Sequence, residues 1–316
     1  MTLTRRQWLK GSALAGAALM LPGGLAFAFE RHRLITRRIP GAREQVPIIG
    51  LGTAATFRSM SRADDTSALR EVIRTFFAHG GTVLDTAPSY AESEAVCGDI
   101  ARDLAITENL FWATKVNDAP RGRPKADPVR VREQLATSFE RIGKVPVDLI
   151  QVHNLGDLPT QMPIIEELKQ DGRIRYIGTT TTRTAEYPAL EAAMKRYPLD
   201  FIGIDYSIDH RVAAERILPL ALDSGIGVLC YEPFGDGLFA RTRGVELPAF
   251  AAEIGADSWA QFFLKFAAAH PAVTCVTPAT SKPKHMLDNI GAAYGELPDA
   301  ALRQRMIEFI EALPAA

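Results

Sequence analysis

The sequence is poor in cysteine, in long apolar runs and in charge of one sign, and each shortage removes a class of protein. Three cysteines, Cys97, Cys230 and Cys275, are scattered over 316 residues. Their odd number and wide spacing argue against a disulfide framework and against a metal site; no metal ligand set is expected. Cys230 and Cys275 lie in apolar strand-like runs and read as packed free thiols. Formal net charge is −1, and −4 once the basic residues Arg5, Arg6 and Lys10 of segment 1–28 are set aside. No nucleic-acid partner is expected from that balance. Linkers, low-complexity tracts and internal repeats are also missing. With 47% hydrophobic and 23% charged residues, the chain reads as one ordinary globular unit rather than two.

The first 28 residues stand apart. Thr4-Arg5-Arg6-Gln7-Trp8-Leu9-Lys10 is a charged start with a twin arginine, residues 11–21 are weakly apolar, and Ala26-Phe27-Ala28 offers a cleavage site. The apolar run falls short of the roughly 20 residues a spanning helix needs. The reading is a cleaved twin-arginine-type signal over 1–28 and a single mature domain over 29–316. It implies the Tat export machinery as a partner, a periplasmic or exported location, and no stable membrane span after cleavage.

What is present is an alternation of buried strands and amphipathic helices. Arg37 to Ile48, turning at Pro40-Gly41, predicts a short hairpin. Strands are expected over 49–53, 82–85, 110–115, 147–153, 175–178, 201–204, 226–230 and 273–276. Leu69, Val72, Ile73, Phe76 and Phe77 form one apolar helix face ending at Gly80-Gly81. Further helices are expected over 94–104, from Asp127-Pro128 through Ile142, and over 164–170, 185–196, 213–223, 259–269, 286–293 and 300–313. Eight such units predict a (β/α)8 TIM barrel with an N-terminal hairpin and closing C-terminal helices. An open doubly wound sheet fits less well, because no GxGxxG follows the first strand.

In such a barrel Asp85, Lys115 and His153 end the second, third and fourth strands, with Tyr90 on the loop after the second. Taken singly, each has a structural role open to it: a turn cap, a snorkelling amine, a hydrogen-bonded core imidazole, loop packing. Together they are costly to bury unless they pair. An ammonium beside a phenol lowers the phenol's pKa from near 10, a carboxylate holds the ammonium, and an imidazole orients a carbonyl. The expected chemistry is protonation of a nascent alkoxide. No activated serine or cysteine nucleophile is present, which leaves a nicotinamide hydride as the natural partner.

Several segments carry a resemblance. Ile49-Gly-Leu-Gly-Thr53, Asp85-Thr-Ala-Pro-Ser-Tyr90 with Glu94, Ala113-Thr-Lys-Val116, Gln151-Val-His153, Tyr231-Glu-Pro-Phe-Gly235 and the run from Thr280 to Asn289 resemble, in order, the aldo-keto reductases. The resemblance implies reduction of aldehydes and ketones with NADP(H). Tyr90 is then the general acid, Asp85 and Lys115 tune it, and His153 orients a small-molecule carbonyl substrate. It also implies a cofactor site at Gly52, Thr53, Thr180, Thr181, Tyr231, Phe234, Gly235, Thr280, His285, Asp288 and Asn289. Tyr231 would stack on the nicotinamide, and the loop at Phe234-Gly235 with 280–289 would hold the pyrophosphate and adenosine.

Five positions depart from that pattern. Thr180-Thr181 replace a Ser-Asn pair, Gly203 replaces a glutamine, His285 replaces a basic residue and Ala279 a glycine. Ala54, where an aromatic is common, and the brief loop after His153 suggest an open, shallow mouth. The basic run from Arg121 to Lys125 reads as a solvated face. The competing reading is a nucleotide-binding sensor or accessory subunit on the same barrel with little turnover.

Overall fold

The structure, a computed structural model, describes residues 33–121 and 125–314. The signal reading over 1–28 lies outside the described residues.

β1 (Thr36–Arg38) and β2 (Gln45–Pro47) pair antiparallel with Arg37 opposite Val46, turning where Gly41 takes φ +73°. That positive φ is the conformation glycine adopts without strain. Then follow β3 (Leu51–Gly52), β4 (Val83–Asp85), β5 (Phe111–Val116), β6 (Val147–Val152), β7 (Ile174–Thr181), β8 (Phe201–Asp205), β9 (Gly227–Tyr231) and β10 (Cys275–Val276). These eight are parallel and adjacent in chain order. Parallel bridges Ile49–Val276 and Gly52–Ala279 join the first strand to the last. The fold is the predicted (β/α)8 barrel.

The helices are α1 (Ala55–Met60), α2 (Ser67–Ala78), α3 (Ser93–Asp103), α4 (Pro128–Ile142), α5 (Leu158–Gln170), α6 (Tyr187–Arg196), α7 (Ile217–Asp223), α8 (Leu238–Arg241), α9 (Trp259–Ala268), α10 (Pro283–Gly291) and α11 (Ala300–Glu311). Leu69, Val72, Ile73 and Phe76 bury the predicted face of α2. The Asp127 carboxylate accepts from the Val129 amide at 2.9 Å, Pro128 opens α4, and Gly143 at φ +72° ends it.

Where boundaries differ, local chemistry explains the shift. α5 begins at Leu158 rather than 164, because Pro159 fits its first turn and Pro163 is tolerated five residues in. α10 likewise starts at Pro283 rather than 286. Residues 212–215 form a 3-10 turn, so α7 begins only at Ile217. α1 and α8 are too short to carry an apolar stripe, and no periodicity announces them.

Successive strand residues alternate faces. Val83, Phe111, Ala113, Leu149, Phe201, Leu229 and Cys275 point inward and pack together, and Ile39 and Val46 of the hairpin close this cluster from one end. Burying the valine, leucine, isoleucine and phenylalanine side chains among them contributes about 1.5–3 kcal/mol each. The thiols of Cys97, Cys230 and Cys275 are free and buried. Among the described residues no helix is long and apolar enough to cross a membrane.

Candidate active site

The same alternation raises a polar layer above the apolar one. Two residues beyond Ala113 on the inner face is Lys115, two beyond Leu149 is Gln151, two beyond Phe201 is Gly203, and two beyond Leu229 is Tyr231. Asp85 follows Val83 in the same way on β4. Register sets Lys115 beside Gln151, and Asp85 beside Gly52 and Ala113.

Lys115 is fully buried, and its Nζ donates to Asp85 Oδ2 and to the Thr86 carbonyl, both at 2.8 Å. It lies 5.0 Å from the Tyr90 ring centroid and 5.5 Å from that of Tyr231. The Tyr231 hydroxyl donates to Asp85 Oδ1 at 3.1 Å and accepts from Gln151 Nε2 at 3.0 Å. His153 meets Tyr90 edge-on, with ring centroids 5.8 Å apart, and the Ser89 hydroxyl is 3.4 Å from its Nδ1. The structure therefore brings Asp85, Tyr90, Lys115 and His153 together as predicted.

Electrostatics modify one expectation. Burial raises the Tyr90 pKa; Lys115 pulls it down, through charge and hydrogen bonding, and Asp85 pushes it up again. The net direction is upward, whereas a lysine–phenol pair alone predicts a fall. Desolvation of a buried phenolate outweighs the neighbouring ammonium. Burial also raises Asp85, against Lys115 and the hydrogen bonds of Lys115 and Tyr231. Burial opposes the charge of Lys115, yet Asp85 and Tyr90 more than offset it and raise its pKa. With Nζ 2.8 Å from Asp85 Oδ2 and the Tyr231 hydroxyl donating to Oδ1, the pair is best described as ammonium and carboxylate. His153 is pushed down to about 3 by burial, Lys115 and Arg121, so its imidazole is neutral at ordinary pH.

The residues assigned to a cofactor fall into several groups. Gly52 ends β3 and Thr53 follows it, giving both its amide and its hydroxyl to the Asp85 carbonyl. Thr180 pairs with Gly203 on the inner face, and its hydroxyl accepts from the Asn154 amide at 3.0 Å. Thr181 alternates to the other face, where its hydroxyl donates to Glu186. Phe234, Thr280, His285, Asp288 and Asn289 line one cavity of about 490 Å³, with Lys282 and Trp259. Asp288 accepts there from Ser258 at 2.8 Å and Gln261 at 2.9 Å. Gly235 lines a second cavity of about 270 Å³ that also holds Asp209, Glu232 and Asp236.

One neighbour of the site, Arg58, escapes the sequence reading, and the parts played by Gln151 and Glu94 are not read there. Gln151 enters it only as part of a motif, although a glutamine in the buried run Val147–Val152 is itself a signal. Arg58 of α1 lends positive potential to Tyr90. Glu94, quoted with the Tyr90 motif, is buried on the outer side, accepting from Thr114 at 2.6 Å and pairing with Arg141. It fastens α3 to β5.

Comparison with known proteins settles the family. The profile of the aldo/keto reductase family matches residues 48–305. The chain belongs to the aldo/keto reductase family. The aldo-keto reductase str7 of Strobilurus tenacellus is 28% identical over 275 residues, covering 74% of this chain and 80% of its own. Among solved aldo-keto reductase structures, AKR11C1 from Bacillus halodurans in its holo form superposes with a TM-score of 0.71 at 24% identity, covering 90% of this chain and 98% of that one. A Klebsiella pneumoniae aldo-keto reductase in complex with NADPH gives 0.68 at 23% identity, covering 87% and 95%. These two likenesses concern the aldo-keto reductase fold.

Proposed function

We propose that the protein is an NADP(H)-dependent oxidoreductase that reduces aldehyde or ketone carbonyls to alcohols, with Tyr90 as the proton donor. The observation that carries this reading is the buried Lys115 amine, held by Asp85 on one side and set under the Tyr90 ring on the other. Burial keeps the proton on Tyr90 at neutral pH, and Lys115 stabilises the phenolate left when that proton moves to a substrate oxygen. The neutral His153 can present an N–H to the carbonyl oxygen without adding a charge that would compete with Lys115.

The residues fit a dinucleotide at its two ends. Lys282, Ser281 and His285 stand at the start of α10 around the larger cavity, an anion-binding arrangement with aromatic walls at Trp259 and Phe234. Tyr231 provides an aromatic surface above Asp85. When bound, the reduced nicotinamide supplies the hydride. NADPH is taken as the cofactor because a fold neighbour is a complex with it. The carboxylates of Glu232 and Asp236 near Gly235 are unfavourable to a pyrophosphate, and they support the second reading, a nucleotide-binding protein with little turnover.

Turnover of 4-nitrobenzaldehyde with NADPH tests the proposal. The parent is expected to oxidise NADPH, and Tyr90→Phe to be slower by about 10²–10⁴-fold with unchanged NADPH affinity. Equal rates in the two would refute the mechanism, and binding without turnover in the parent would favour the sensor.

Export by the twin-arginine route is likewise proposed, from Arg5-Arg6 and Ala26-Phe27-Ala28. Sequencing of the exported protein is expected to begin near Phe29; a start at Met1 or Thr2 would refute cleavage.

A further inference from the structure

Gly203 on β8 and the ring of Tyr231 on the neighbouring β9 approach so closely that no larger residue fits at that position of β8. A Cβ built on Gly203 overlaps the Tyr231 ring, 2.7 Å from both Cζ and the hydroxyl oxygen. The ring therefore occupies the volume of the missing side chain. Lodged there, its hydroxyl spans from β9 to β4 and β6, donating to Asp85 Oδ1 at 3.1 Å and accepting from Gln151 Nε2 at 3.0 Å. Accepting from Gln151 fixes the direction of the phenolic O–H, because the lone pair turned to Gln151 leaves the hydrogen for Asp85. Gln151 is fully buried, and its Oε1 has no hydrogen-bond partner among the described residues. Leaving an amide oxygen unsatisfied is costly. The orientation that leaves it so is the one that serves Tyr231.

We propose that Tyr231 is a positioning residue for Asp85: its hydroxyl, given room by Gly203 and aimed by Gln151, holds the carboxylate in line with Lys115. This rests on the reductase reading only for its kinetic consequence. Each Asp85 oxygen has a different donor, Lys115 on Oδ2 and Tyr231 on Oδ1. Without the second donor the carboxylate can rotate away from Lys115 and is harder to keep ionised. The groups facing Asp85 are Lys115 from β5, Tyr231 from β9, the Cys275 thiol from β10 and Tyr90 from the loop after β4. Of these the Tyr231 hydrogen bond lowers the Asp85 pKa, so its removal raises it.

The test uses the full mature chain without nucleotide. Carboxyl ¹³C NMR of aspartate-labelled protein, with Asp85 assigned through Asp85→Asn, reads the ionisation midpoint directly. Tyr231→Phe is expected to raise that midpoint by about one pH unit, the size of one hydrogen bond to a charged group. Gly203→Ala keeps every hydroxyl but displaces the ring, and is expected to raise it in the same direction. Gln151→Leu should produce a smaller rise. With NADPH and aldehyde, Tyr231→Phe should lose about tenfold in kcat while NADPH affinity, read by fluorescence, changes less than threefold. A midpoint unmoved in both Tyr231→Phe and Gly203→Ala overturns the proposal. So does a loss confined to NADPH affinity, which would make Tyr231 a cofactor surface only. A midpoint raised in the variants, with a parent that reduces no aldehyde, would defeat the reductase reading and leave this one standing.

Discussion

Thr53 directs both of its donors to one atom of Asp85. Its amide and hydroxyl reach the Asp85 carbonyl oxygen at 2.9 and 3.1 Å, tying the end of β3 to the end of β4 where the carboxylate stands. Thr53→Val keeps the amide bond and loses the hydroxyl one. It is expected to cost about 1 kcal/mol, a fall of a few degrees in Tm by calorimetry, and to leave NADPH affinity within twofold. A tenfold loss of NADPH affinity would instead place the hydroxyl on the nucleotide.

Removing the acid from the ion pair strands a buried cation. Asp85→Asn is expected to destabilise the fold by about 3–5 kcal/mol in urea unfolding and to abolish most turnover. Lys115→Met added to Asp85→Asn removes the orphaned charge, so stability should largely return while activity does not. If the double variant were as unstable as the single one, Lys115 would not be charged in the folded protein.

Acid should weaken the fold through His153. Its folded pKa is held near 3, against 6.5 for a solvated histidine. Between those values the unfolded chain carries a proton here that the folded chain lacks. Stability therefore falls as pH drops from 6.5 towards 3, by at most about 1.4 kcal/mol per pH unit from this group. His153→Gln removes that contribution, so urea midpoints at pH 7.5 and 4.5 should lie closer together than in the parent. Parallel curves would mean that His153 protonates freely in the folded state.

A charge at the loop after β9 should govern nucleotide affinity. Asp236 lines the smaller cavity with Gly235 and Glu232. Asp236→Asn is expected to tighten NADPH binding about threefold at low salt, with the gain shrinking at 0.5 M NaCl. Weaker binding would mean that the carboxylate contacts a donor on the ligand.

Much of this is legible in the residues, for physical reasons that can be stated. Strands buried on both faces, such as Phe111–Val116 and Val147–Val152, stand out as apolar runs, and a charged residue at their ends is conspicuous. Short segments such as α1 and α8 have no period to detect, and Pro163 conceals the first half of α5. The tetrad is readable because strand order fixes which ends are neighbours. Its electrostatics are not: whether Lys115 or burial dominates at Tyr90 depends on how much water the folded site retains. The Tyr231–Asp85 bond is hidden too, since β9 and β4 are far apart in sequence and only the absence of a side chain at Gly203 lets the ring cross.

Ile39 and Val46 press into the barrel beneath Val83, Phe111 and Leu229 and stopper its lower end. With that end filled by apolar side chains and the barrel interior packed, the approach to Asp85 lies on the side of Tyr90 and His153.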